Sequence, residues 1–167
     1  MADTVTAINA AQLATLDARA GRGFAAEGSI TSNVTFGATE TVIMFTSSMT
    51  WTNNRAYRVE VWGLHQYPTT NNYALYRIRK GTTTAGTAYK DQIRLGSIPV
   101  AGTNSPVVFT TILTNTTGAD IVTAVCLTAI QGTVAQTWTF SASVNNVAYM
   151  VVTDIGSTAN YTGQPIS

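Results

Sequence analysis

The chain has 167 residues, 45% of them hydrophobic and only 10% charged, with eight acids against nine Lys and Arg for a net charge of +1. A single domain of this length buries about 70% of the surface its unfolded chain exposes and needs no covalent staples, while the near-zero charge excludes the basic footprint of a general polyanion binder. Charged residues stand well below the roughly 25% of an ordinary soluble domain, with threonine frequent in their place. That exchange indicates an all-β chain, because a β-branched side chain suits a half-wet pleated surface, and it leaves little repulsion to hold copies apart.

In chain order, the opening MADTVTAINAAQL has neither a basic region nor a continuous apolar stretch. No apolar run approaches the roughly 18 residues of a membrane helix, so the expectation is a soluble protein made in the cytoplasm, with no membrane partner. Within INAAQLATLDARAGRG, Asn9 is placed to cap a helix, Gln12 to reach back to that cap, and Ile8 and Leu13 to form a hydrophobic staple. The spacing predicts a helix from Ala10 to Ala20, stopped by Gly21 and Gly23. Its apolar stripe of Leu13, Leu16 and Ala20 is narrow, and a helix of about three turns is marginal by itself, so the domain or another subunit must cover it. Ile8, Leu13, Leu16 and the basic Arg19 are therefore the candidate anchor residues of an arm over residues 1–23, followed by a domain over residues 24–167.

From Phe24 the pattern changes to short β-rich runs parted by turn formers. Strands are expected at FAAEGSIT, ETVIMFT, RAYRVEVWG, YALYRIRK, PVVFTTILT, DIVTAVCLTAI, QTWTFSA and VAYMVVTDIG. About eight strands with no helix between them predict an antiparallel β-sandwich or jelly roll. The stretch from Gly81 to Asn104 reads as an extended loop with a short edge strand.

In YALYRIRK, period two puts Ala74, Tyr76 and Ile78 on one face and Tyr73, Leu75, Arg77 and Arg79 on the other. Arg77 and Arg79 are expected on an outer face opposite acidic or polar groups, with Glu60 the candidate partner; an interface, or a nucleic-acid track with Tyr67, Tyr73 and Tyr76, is the sharper alternative. Trp51, at a turn boundary, would form a sugar-binding platform with Tyr67 and Tyr73 if exposed. Trp138 and Phe140 share a face and are expected in the core, and Trp62 alternates with Val61.

Catalytic resources are few. His65 is the only histidine, at a strand-to-turn junction, and is expected at a surface or interface. Cys126, the only cysteine, lies in an apolar run and is expected to be buried, so no intrachain disulfide and no zinc site can form. The acids Asp3, Asp17, Glu27, Glu40, Glu60, Asp91, Asp120 and Asp154 are scattered singly. Asp120 and Asp154 read as turn or cap carboxylates. An enzyme, a cofactor and a metal are not expected; the remaining catalytic option is a carboxylate pair within roughly 5 to 10 Å in a cleft. The acceptor patterns at Asn33, Asn115 and Asn160 are what a threonine-rich chain produces by chance.

The capped helix with its basic, glycine-broken end in INAAQLATLDARAGRG, together with AYRVEVWG, YALYRIRKG and AYMVVTDIGSTA, resembles structural proteins of tailed bacteriophages, particularly those infecting actinobacteria. The resemblance covers most of the chain and carries no catalytic motif. It implies a non-enzymatic virion protein, synthesised in the host cytoplasm, that forms a symmetric homo-oligomer, commonly a trimer, and attaches through its N-terminal segment. A head decoration or minor capsid protein seated on the major capsid protein is the expected role. A tail fibre or spike component, or a glycan-binding module contacting the host surface, is the alternative; no specific nucleic-acid partner is implied.

Overall fold

The computed structural model describes residues 20–66, 68, 73–95, 102–132 and 136–167, with 90–95 as backbone only. Thirteen strands are formed among them: β1 (Gly23–Ile30), β2 (Val34–Phe36), β3 (Thr41–Phe45), β4 (Met49–Trp51), β5 (Arg55–Gln66), β6 (Ala74–Lys80), β7 (Ala88–Leu95), β8 (Asn104–Asn115), β9 (Ile121–Thr123), β10 (Val125–Gln131), β11 (Trp138–Ser141), β12 (Ala148–Ser157) and β13 (Gln164–Pro165). The predicted helix over Ala10–Ala20 lies almost wholly outside the described residues.

The pairing is that of one long hairpin folded into two sheets. Antiparallel partners are nested, β1 with β12, β3 with β10, β5 with β8, and β6 with β7 at the tip. Further pairing of β12 with β5 and of β10 with β6 closes these into sheets ordered β1-β12-β5-β8 and β3-β10-β6-β7. This is a jelly roll, which settles the sandwich question left open by the sequence. Short strands extend it: β11 and β2 continue from the far half of β5, β13 runs parallel beside the end of β8, and β4 pairs with β9.

Seven of the eight expected runs hold a principal strand of the roll. The eighth, QTWTFSA, forms the four-residue β11, and the principal strand in its place is β7, eight residues long, where a loop with a short edge strand was expected. Lys90, Asp91, Gln92 and Arg94 hide β7 from a hydrophobic pattern, yet an edge strand needs backbone partners more than apolar ones, and β6 supplies them.

The two sheets bury their facing sides. Tyr57, Val59 and Val61 of β5, Met150 and Val152 of β12, and Val107 and Leu113 of β8 meet Ala74, Tyr76 and Ile78 of β6 and Val125 and Leu127 of β10. Each large apolar side chain taken from water in this way stabilises the fold by about 1.5–3 kcal/mol. At one end of the core Phe36 stacks on Trp138 at 6.1 Å, and Tyr76 meets Phe36 and Phe140 edge-on at 6.0 Å.

The edges β1 and β3 come together at Gly28, where an added Cβ would stand 2.1 Å from the Phe45 carbonyl oxygen. Backbone cannot step aside as a flexible side chain can. Gly28→Ala is expected to cost about 3 kcal/mol in urea denaturation, whereas Gly37→Ala, whose Cβ would meet Gln136 O at an ordinary 3.6 Å, should stay within about 1 kcal/mol of the parent. Equal stabilities for the two variants would refute this close approach.

Candidate functional site

Strand β5 turns Tyr57, Val59 and Val61 inward, so Arg58, Glu60 and Trp62 face out. The register sets Trp62 directly between Tyr149 of β12 and Val108 of β8. This row stays bare, with Trp62 and Val108 each 45% exposed and Tyr149 39%. The Trp62 and Tyr149 rings are 6.3 Å apart and 22° from parallel. With Gly63, Leu64, Pro106, Asn146 and Val147 they line an uncharged concavity of about 320 Å³. Contiguous exposed apolar surface of this kind marks a place of contact with something else. Nearer the start of β5, Arg58 and Glu60 form a rim ion pair at 2.9 Å.

The outer face of the second sheet carries a cluster of its own charged groups beside Phe45, which is 53% exposed. Arg77 Nη1 donates to Glu40 Oε2 at 2.8 Å, Arg79 donates to both oxygens at 2.7–2.8 Å, and Thr128 Oγ1 donates to Oε1 at 2.5 Å. A further bond from Arg79 Nη1 to Gly86 O draws the β6–β7 loop over the cluster. Burial by itself raises the Glu40 carboxyl, but the bonds from Arg79 and Thr128 and the charges of Arg77 and Arg79 prevail and hold it below its ordinary value.

A third feature fixes the root of the N-terminal segment. Arg55 binds Asp154 through two bonds, Nε to Oδ2 at 3.0 Å and Nη2 to Oδ1 at 2.6 Å, and Nη2 also donates to Ala20 O at 2.6 Å. Gly21 passes so near β12 that a Cβ there would lie 2.8 Å from Asp154 O.

Several expectations change against these placements. Trp51 is fully buried, its ring edge-on to Tyr57 at 4.7 Å and its Nε1 donating to Thr123 O at 3.0 Å, so it offers no platform. Half-buried Tyr73 has its carbonyl on Gly132 N at 2.7 Å, at the opposite end of β10, and Tyr67 lies outside the described residues. The structure therefore does not bring Trp51 and Tyr73 together. The partner of Arg77 and Arg79 is Glu40 and not Glu60, because a residue just before β3 reaches across β10 to β6. Those arginines are engaged with a carboxylate, and Tyr76 points into the core, which removes the nucleic-acid track. Ile8, Leu13, Leu16 and Arg19 lie outside the described residues.

His65 is buried, not a surface residue: period two turns it inward with Val59 and Val61, and its Nδ1 lies 2.8 Å from the Tyr76 hydroxyl, bridging the two sheets. Burial pushes its pKa down to about 4. Asp154 is a buried ion-pair partner as well as a cap on Gly156 N at 3.0 Å, while exposed Asp120 accepts from Asn53 N at 2.7 Å across two turns. Cys126, Trp138 and Phe140 are buried as expected. The Asn115 amide is spent on Trp51 O and Ala119 O, which rules out that acceptor position. Among the described residues no cluster of three His, Cys, Asp or Glu could hold a metal.

The exposed row escaped the sequence reading, although a signal was present. Once Val59 and Val61 are assigned inward, Trp62 must face outward, and Tyr149 does so by the same alternation against Met150.

No protein-family model and no curated protein matches the sequence. Among solved structures, the fold is similar to that of the infectious bursal virus derived T=1 particle, with a TM-score of 0.50, 9% identity, and 86% of this chain and 43% of that chain covered. It is similar also to the T13 particle of infectious bursal disease virus, at 0.47 and 12% over 85% and 36%, and to the VP2 subviral particle, at 0.45 and 9% over 86% and 45%. The chain spans less than half the length of these viral capsid proteins, and what it shares with the first is a fold.

Both lowered groups predict loss of stability in acid. Unfolded chains protonate His65 near 6.5 while the folded state resists until about 4, so stability is intact above pH 6.5 and falls by about 3 kcal/mol on the way down to 4. Urea midpoints from pH 7 to 4 should show this decline, and His65→Gln, less stable at pH 7, should flatten it; an equally steep profile in the variant would refute the assignment. Glu40→Gln should cost about 2 kcal/mol at pH 7 by leaving two guanidinium groups short of a carboxylate, read from the same titrations.

Proposed function

We propose that the chain is a non-enzymatic structural protein of a virus particle, working by burial of apolar and threonine-rich surface between subunits. The observation that carries this reading is the jelly-roll domain itself, which over 86% of its length has the fold of the infectious bursal virus derived T=1 particle chain. Low charge and a bare aromatic row on one face support it, since assembling surfaces are depleted in charge and enriched in Trp and Tyr.

The sequence resemblance refines the reading to a tailed-phage head decoration or minor capsid protein, a homotrimer held on the major capsid protein by its N-terminal arm. A tail fibre or spike component is the alternative within the same class. A glycan-binding module no longer has Trp51 to rely on and would have to use Trp62 and Tyr149.

Light scattering over a range of concentrations tests the reading, applied to the full chain and to a version lacking residues 1–19. That deletion keeps the Ala20 carbonyl on Arg55 and should leave the melting temperature unchanged. The full chain is expected as a trimer that buries on the order of 1,200–2,000 Å² per interface, and the truncated one as a monomer. A full chain that is monomeric throughout and fails to cosediment with particles would overturn the structural-protein reading.

A further inference from the structure

The outer face of the β3-β10-β6-β7 sheet is occupied largely by Glu40, Arg77, Arg79 and the β6–β7 loop, with Phe45 left 53% exposed beside them, whereas Tyr149, Trp62 and Val108 of the other sheet adjoin in an uncharged concavity that nothing among the described residues covers. We propose that this row receives the N-terminal segment of a second copy of the chain, with Ile8, Leu13 and Leu16 seated on it. The inference rests on the reading that the chain assembles with its own copies, and it names the surface through which the arm acts.

Nineteen residues precede Ala20, and their point of departure is known. Arg55 holds the Ala20 carbonyl, and Gly21 lies against Asp154, so the segment leaves at the Asp154 end of β12. Tyr149 is five residues along that strand, about 17 Å at 3.4 Å per residue, and Trp62 is seven residues from Arg55, about 24 Å. A helix over Ala10–Ala20, as the sequence predicts, would rise only 1.5 Å per residue and so put Leu16 about 6 Å and Leu13 about 10 Å from the clamp. On that helix a chain's own Leu13 and Leu16 would fall short of its own row. A neighbour's arm, entering from another direction, has no such limit.

Charge agrees with this occupant. The residues lining the row are uncharged, matching an apolar stripe. One rung pair along, about 7 Å away, the outward side presents Glu27 and Glu60 on either side of Val151, with Arg58 beyond. Arg19 follows Leu16 by three residues, on the same side of a helix one turn on. With the leucines on the row, Arg19 reaches that acidic level.

Cross-copy disulfides test the docking directly, because Cys126 is buried and its thiol is pushed up to about 11, which keeps it out of the reaction. Full-length Leu13→Cys is mixed with full-length Val108→Cys under mild oxidation, and with Val122→Cys as a control, a site on β9 that is 72% exposed. Heterodimers with Val108→Cys are expected about tenfold faster than with Val122→Cys; equal rates would overturn the proposal. In a chain carrying both Leu13→Cys and Val108→Cys, diluted into excess parent protein, the intrachain bond should be negligible, and its dominance would overturn delivery by a second copy. The double variant Trp62→Ser and Tyr149→Ser, altered only at exposed positions, should melt as the parent does and lose its oligomeric mass. An oligomer that survives those substitutions sinks this docking site and leaves the assembly reading standing, whereas a monomeric parent sinks both.

Discussion

Twelve consecutive rungs join Arg55–Gln66 to Asn104–Asn115, and every other placement takes its phase from that ladder. Its strand β5 also pairs with β12 from Arg55 to Trp62 and with β11 over its last residues, so it is the central strand of the larger sheet. Slipping it by one residue would turn Val59 and Val61 out to water and Trp62 into the core. The two ends of its inner side are polar and both are tied. Arg55 finds Asp154 and the Ala20 carbonyl, and His65 finds the Tyr76 hydroxyl across the sandwich. Desolvation offsets much of the attraction within buried polar pairs of this kind. Their larger effect is on register, since a two-residue slip would keep the apolar pattern and strand both groups without partners.

Much of this was legible because alternation is a local property. The inward set of β6, Ala74, Tyr76 and Ile78, follows from period two in YALYRIRK, as does the burial of Trp138 and Phe140. What was not legible depends on partners distant in sequence. His65 stands beside a turn and looks peripheral, and only the facing of β5 by β6 buries it. Trp51 precedes a turn, yet β9 arrives from seventy residues further on to accept its indole N–H. Glu40 belongs to no motif, and its meeting with Arg77 and Arg79 needs β10 inserted between β3 and β6. Strand β7 was hidden for the opposite reason, since its polar residues conceal an edge that backbone pairing defines.

Scarcity of charge reads differently once the pairs are placed. Among the described residues, Arg55, Arg58, Arg77 and Arg79 each face a carboxylate, and three of those four pairs are largely withdrawn from water. A chain with only 10% charged residues thus spends much of its charge on internal links, and few charges, among them Arg22, Glu27, Arg58 and Asp120, stay exposed among the described residues. Such a surface carries little field to keep like copies apart.

The two outer faces then divide the labour. One sheet ties its loop down with a carboxylate held between two guanidinium groups. The other displays Trp62, Tyr149 and Val108 across three adjacent hydrogen-bonded strands, where an incoming apolar segment would meet a surface held by its backbone ladder and forfeit little entropy in ordering it. Clamping at Ala20 adds the complementary constraint. By holding the Ala20 carbonyl, Arg55 limits which surfaces the preceding segment can reach, and a helix over Ala10–Ala20 would leave its leucines short of the chain's own row. In the proposed docking, the row that one copy leaves bare would be covered by the N-terminal segment of another, so that one contact would bury both apolar surfaces.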